Sequence, residues 1–200
     1  MTKVRKEIKL RVPAYLFNSS NSGSNVTPNI GEGGFSARIA NQPSVIIPSG
    51  SNTLEQTFLL PLDLKFDTDN FVDGHQWTAK PGLYYFSSNL NFNLGNTGIL
   101  TGEPPRLELQ KNGEKILEAI FPTNNYNIDL PSGGVFVNVR TLLSTFTLDL
   151  SGGVEASSGD VFRLVVVKPA GSSTGTNIFV NDPALTSGSD VSFFALELED

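Results

Sequence analysis

Asp67, Asp69, Asn70 and Asp73 form an acidic cluster within one seven-residue stretch. Calcium takes several carboxylate and carbonyl oxygens from a flexible loop, and these residue types supply them. Asp67, Asp69 and Asp73 are therefore the candidate metal ligands, with calcium as the ion. The spacing lacks the bidentate Glu that closes an EF-hand loop. Asp and Asn also suit a solvated turn, where they bond their own backbone. His75, the single histidine, follows Asp73-Gly74 in what reads as a turn. A Ser-His-Asp triad needs three groups meeting in space, and Asp73 lies only two residues from His75 with nothing in the spacing to bring a serine to them. His75 is expected to be an exposed turn residue. Gly31-Glu32-Gly33-Gly34 and Ser151-Gly152-Gly153 do not sit between a strand and a lysine-bearing helix, and both read as loops rather than phosphate cradles. No catalytic residue and no organic cofactor is expected.

The elements that position these residues are strands. The chain has 200 residues and uses Phe heavily, with 14 copies against one Trp and one Met, enough apolar bulk for one large core. Gly and Pro, at 19 and 12, are scattered without a period, which suits short strands joined by tight turns and excludes collagen. Cysteine is absent, so stability must come from packing or from subunit association. No apolar run of about 18 residues is available to cross a membrane as a helix. The basic N-terminus lacks the apolar segment of a signal peptide, so a native Met1 implies no export through a cleaved signal.

Charge divides along the chain. Lys3, Arg5, Lys6, Lys9 and Arg11 against Glu7 give residues 1–11 a net +4 of the formal −6, leaving −10 on the remainder. An acidic body is a poor partner for nucleic acid, whose phosphates need clustered Lys and Arg. Ile8, Leu10 and Val12 alternate with Lys9 and Arg11 in strand periodicity. Residues 18–34 are polar and glycine-rich and read as a linker. Residues 1–17 are thus an arm, residues 18–34 a flexible linker, and residues 35–200 the body. An alternative makes residues 4–17 an extra strand of the body itself.

Within the body, 35–40, 57–66, 83–94, 106–109, 115–121, 135–150, 161–167 and 191–198 read as strands. Asn112-Gly113 between two such runs predicts a two-residue hairpin with φ > 0 at both positions. Trp77-Thr78-Ala79-Lys80-Pro81-Gly82 predicts a strand running into a type II turn, with Gly82 at positive φ. After it, Leu83 and Tyr85 should face one way and Tyr84 and Phe86 the other. Tyr84, Tyr85, Phe86, Phe92, Phe162, Phe193 and Phe194 lie at strand spacing, as core or subunit-interface residues do.

The stretch Trp77 to Phe86 resembles the "F-x-A-P-x-P-G-x-Y-x-F" signature of the C1q-like domains. Further stretches are similar to that pattern in the same order. They are Phe35-Ser36-Ala37-Arg38, Phe66-Asp67-Thr68-Asp69-Asn70-Phe71, the Leu107 to Gly113 hairpin, Ser158-Gly159-Asp160-Val161 with Phe162-Arg163-Leu164, and Val191 to Leu196. Ala195 replaces the family's usual glycine. The tumour-necrosis-factor-like proteins share the jelly roll, and sequence does not separate the two. The resemblance implies an all-β fold, a single jelly-roll β-sandwich with a short N-terminal arm. It also implies a homotrimer that binds and performs no chemistry, and some C1q-like heads bind calcium near the trimer apex.

The functional expectation is a non-enzymatic structural or adhesive protein. It would be a virion component made in the host cytoplasm, such as a phage head decoration, a head fibre or a tail-associated binding protein. Its partners are further copies of itself and a larger assembly, a capsid or tail. The assembly is reached through the arm residues Lys3, Arg5, Lys6, Ile8, Lys9, Leu10, Arg11 and Val12, which suit strand addition to an acidic sheet edge. The alternative is a cell- or spore-surface module that binds a glycan or protein. A glycan hydrolase would need two carboxylates paired across a cleft, which no sequence pattern marks here.

Overall fold

The computed structural model describes residues 34–39, 45–67, 72–94, 98–130, 135–180 and 192–198. The arm and nearly all of the linker lie outside these residues. All regular structure among the described residues is strand. In chain order the first strands are β1 (Gly34–Ile39), β2 (Val45–Ile47), β3 (Gly50–Ser51), β4 (Gln56–Leu59), β5 (Leu62–Asp67), β6 (Val72–Asp73) and β7 (Gln76–Thr78). There follow β8 (Gly82–Asn93), β9 (Ile99–Thr101), β10 (Arg106–Lys111), β11 (Glu114–Ile120), β12 (Thr123–Leu130) and β13 (Val135–Leu142). The last are β14 (Thr145–Ala156), β15 (Val161–Lys168), β16 (Ser173–Thr174), β17 (Ile178–Val180) and β18 (Ser192–Leu198).

Two large antiparallel sheets share one core. In the first, β8 is central: β14 pairs along one edge, while β18 and β17 follow one another along the other, and β1 and β5 continue beyond β18. In the second, the order is β11-β10-β15, with β7 and β4 both on the far edge of β15. Chain order gives eight principal strands: β1, β7, β8, β10, β11, β14, β15 and β18. The first sheet then reads first-eighth-third-sixth and the second reads second-seventh-fourth-fifth. That order is a jelly roll, two sheets connected by Greek keys. A smaller sheet, β12-β13-β9-β16-β3, completes the fold.

Alternation sets the core. Tyr84, Phe86, Leu90 and Phe92 of β8 are buried, while Leu83 is exposed and Tyr85 only partly buried. Trp77 of the opposite sheet meets Tyr84 and Phe86 at ring-centroid distances of 4.9 and 5.8 Å, and Phe162 meets Phe86 at 4.8 Å. A second group, Phe92, Phe121 and Phe146, packs at 4.6 to 5.2 Å. Such aromatic pairs add about 0.5–1.5 kcal/mol each beyond the area they bury. The similar stretches fall on β1, β7–β8, β10–β11, the entry to β15, and β18, while of Phe66 to Phe71 only Phe66 and Asp67, at the end of β5, are among the described residues. Ala195 lies fully buried, opposite Phe86 in the ladder.

Four expectations need correction. Residues 57–66 are not one strand, because Leu60-Pro61 divides β4, which pairs with β15, from β5, which pairs with β1. Proline has no N–H to extend a ladder, and the chain changes sheets there. Residues 135–150 likewise divide, since β13 belongs to the small sheet and β14 pairs with β8. Gly82 is not among the positive-φ glycines; it is the first residue of β8, extended opposite Ala156. The Pro81 turn therefore carries the chain from one sheet to the other without a type II glycine. Ser151-Gly152-Gly153 is not a loop but the middle of β14, where a Cβ on Gly152 would come within 2.9 Å of Leu117 Cδ2.

The Asn-Gly hairpin is as expected, with φ of 54° at Asn112 and 86° at Gly113 and Lys111 opposite Glu114. Gly102 shares the positive φ, at 76°, but a Cβ there would also meet the Gly171 carbonyl oxygen at 2.7 Å, whereas at Gly113 it meets nothing. Gly113→Ala should therefore cost about 1 kcal/mol from backbone strain alone. Gly102→Ala should cost clearly more, because backbone atoms must move. Urea denaturation of both variants at equal protein concentration measures the difference, and equal losses would contradict the contact at Gly171.

Candidate functional site

The expected sites fall unevenly on the structure. Asp67 ends β5 and Asp73 ends β6, while Asp69 lies outside the described residues. Among the described residues no three His, Cys, Asp or Glu side chains are grouped as metal ligands. His75 is exposed in the tight turn between β6 and β7, beside Gly74 at φ 54°. The arm residues Lys3, Arg5, Lys6, Ile8, Lys9, Leu10, Arg11 and Val12 all lie outside the described residues.

The outward face of β8 and β14 changes character along its length. At one end the ladder sets Asn91 opposite Thr147 and Asn89 opposite Asp149. Thr147 donates its hydroxyl to Asn91 Oδ1 at 2.6 Å, and Asn89 donates its amide to Asp149. At the other end Tyr85 stands opposite Gly153 and Leu83 opposite Glu155. On the far edge of β8 the backbone ladder runs on into β18. Leu198 is the partner of Leu83, and Leu196 is the partner of Tyr85. Leu83 and Tyr85, two residues apart on β8, share this outward face and form its apolar end. Beside it runs an open groove of about 560 Å³ lined by Pro81, Leu83, Glu155, Ser157 and Ser158.

Charged clusters missed by sequence reading surround this region and the opposite sheet. Asp160 accepts from Lys111 Nζ at 2.7 Å, from the Ser157 amide at 2.7 Å and from Asn112 Nδ2 at 2.7 Å. These bonds, Lys111 first, then Ser157 and Asn112, hold its carboxyl down at about 2. Asn112 in turn accepts from the Val161 amide, so the hairpin turn is fastened to the start of β15. At the other end of β10, Arg106 donates to Glu108 at 2.6 Å and to Glu55 at 2.9 Å, and Gln110 donates to Glu108 at 2.7 Å. Partial burial pulls the Arg106 guanidinium down, but its bonds to Glu108 and Glu55 hold it above the ordinary value. The alternation Arg106, Glu108, Gln110 on β10 was the signal that could have revealed this row. Glu108 is buried, so the row serves the fold: a carboxylate there requires its partners.

No family model and no curated protein matches the chain. Among solved structures it is similar to murine APRIL at pH 8.0, with TM-score 0.42 and 10% identity over 83% of this chain and 98% of that one. It is also similar to rabbit GITRL, with TM-score 0.40 and 12% identity over 82% of this chain and 94% of that one.

The Asp160 cluster makes a pH prediction. Because the folded-state carboxyl lies below the unfolded value of about 3.9, its stabilisation is present above pH 4 and is lost as pH falls toward 2. Asp160→Asn should melt below the wild type at pH 6, and the gap should close as pH approaches 2. A gap independent of pH would show that the carboxylate charge is not what Lys111 holds.

Proposed function

We propose that this protein is a non-enzymatic homotrimer, a structural or adhesive jelly roll carried on a larger assembly such as a virion. One observation carries the reading: the apolar end of the outward face of β8. Leu83 is exposed there and Tyr85 only partly buried. Contiguous apolar patches are more often association surfaces than solvent faces. The resemblance to trimeric C1q-like and tumour-necrosis-factor-like domains supplies the number of subunits. The shallow groove beside Pro81 fits surface contact better than chemistry, because its only ionisable lining side chain is Glu155.

The attachment reading rests on the sequence. Ile8, Leu10 and Val12 offer a strand with apolar residues on one side, and Lys9 and Arg11 place charge on the other. An N-terminal arm that adds a strand to a foreign sheet edge would leave the body free to stand away on its linker. The acidic, cysteine-free body suits a component assembled inside a cell and released on a particle.

The double variant L83D/Y85D places two carboxylates in the patch while leaving the inward Tyr84 and Phe86 untouched. Light scattering after gel filtration should give three times the 21.5 kDa chain mass for the wild type and a single chain mass for the variant. The near-UV circular dichroism of the aromatic core should be retained in the variant. A monomeric wild type at low micromolar concentration would sink the trimer reading. A variant that stays trimeric would move the interface elsewhere.

A further inference from the structure

The inward alternation of β15 runs Phe162, Leu164, Val166 and then Lys168, so a lysine takes the last core position. Lys168 is 1% exposed, and burial lowers its pKa. Its ammonium donates to the Pro48 carbonyl at 2.8 Å and the Gly50 carbonyl at 2.7 Å, which uses two of its three hydrogens. Neither acceptor is a carboxylate.

Three other buried polar groups belong to the same knot of chain. Asn52 donates its amide to the carbonyls of Leu54 at 2.6 Å and Pro169 at 2.9 Å, which fixes the orientation of that side chain and leaves its Oδ1 without a protein donor. The Asn52 carbonyl accepts from the Gly171 amide, and the Ser172 amide donates to Pro169. Thr174 is the ladder partner of Gly50, the residue whose carbonyl holds Lys168. Ser172 and Thr174 are fully buried, and their hydroxyls have no protein partner. Of the five such buried atoms among the described residues, three lie within this knot.

We propose that this knot is a built internal water site, in which Lys168 donates its third hydrogen to water that also bonds Asn52 Oδ1 and the hydroxyls of Ser172 and Thr174. The mixture of groups selects water over an ion. An anion would suit the ammonium and the hydroxyls but would face the Asn52 oxygen. A cation would suit that oxygen but would face the ammonium. Water both donates and accepts, and buried waters typically make about three bonds to groups of this kind. The hydrated lysine clamps Pro48 and Gly50, and with them the segment from β2 to β3, across the end of the sandwich.

Two measurements test it on the full chain. A high-resolution crystal structure should show ordered water within hydrogen-bond distance of Lys168 Nζ and of at least one of the three orphaned oxygens. Thr174→Val keeps shape and removes one water partner, so its melting temperature should fall by about 2–4 °C. If the site is dry, that hydroxyl is a pure desolvation cost and its removal is neutral or stabilising. An unchanged or raised melting temperature, or a knot without water in which Lys168 bonds a third protein atom, would each overturn the proposal.

Discussion

The inward row of β8 is the constraint on which the rest of the structure depends. Tyr84, Phe86, Leu90 and Phe92 can leave water only against the opposite sheet, where Trp77, Phe162 and their neighbours wait. Each such side chain contributes about 1.5–3 kcal/mol on full burial. The link is also covalent and short, since Trp77 and Tyr84 are joined through one turn at Pro81 and lie in different sheets. Strand period then leaves no freedom on the other side. If the even-numbered positions face the core, Leu83, Tyr85, Ser87, Asn89 and Asn91 must face outward, so packing and surface chemistry are one decision.

The polar clusters work at the margins of that core. Asp160, Lys111 and Asn112 tie the β10–β11 hairpin to the start of β15, and Lys168 fastens the segment at its other end. The strand that carries Phe162, Leu164 and Val166 is thus held at both termini by charge. The two fastenings differ in kind. Asp160 has a cationic partner near the surface. Lys168 is buried with neutral carbonyls, and a buried ammonium persists only where dipoles or water solvate it.

Much of the sandwich was legible because strand period and turn chemistry speak locally. The β8 alternation needed only side-chain size, and the Asn112-Gly113 turn needed only tolerance of positive φ. What escaped depends on partners distant in sequence. Gly152 reads as a loop residue until Leu117 is placed against it. The break between β13 and β14 falls at Leu143-Ser144, without a proline or glycine, because it follows from membership of different sheets. Proline at Leu60-Pro61 was visible, yet its consequence, a change of sheet, was not. Lys168 could have been found, since extending the Phe162, Leu164, Val166 alternation by one step places it inside. The Asp67, Asp69 and Asp73 stretch was read from composition alone, and the described backbone carries only its two ends.

If copies of this chain meet at the apolar end of the β8 outer face, as proposed, labels placed beside it will lie close together. The absence of cysteine allows single labels to be placed without interference. A spin label at Glu155→Cys, opposite Leu83 at the rim of the patch, should report a short, well-defined distance between copies in pulsed dipolar spectroscopy. A label at Glu114→Cys, on the exposed edge strand of the other sheet, should report a longer one. The absence of any inter-copy distance from the Glu155 position, or a shorter one from Glu114, would contradict the account.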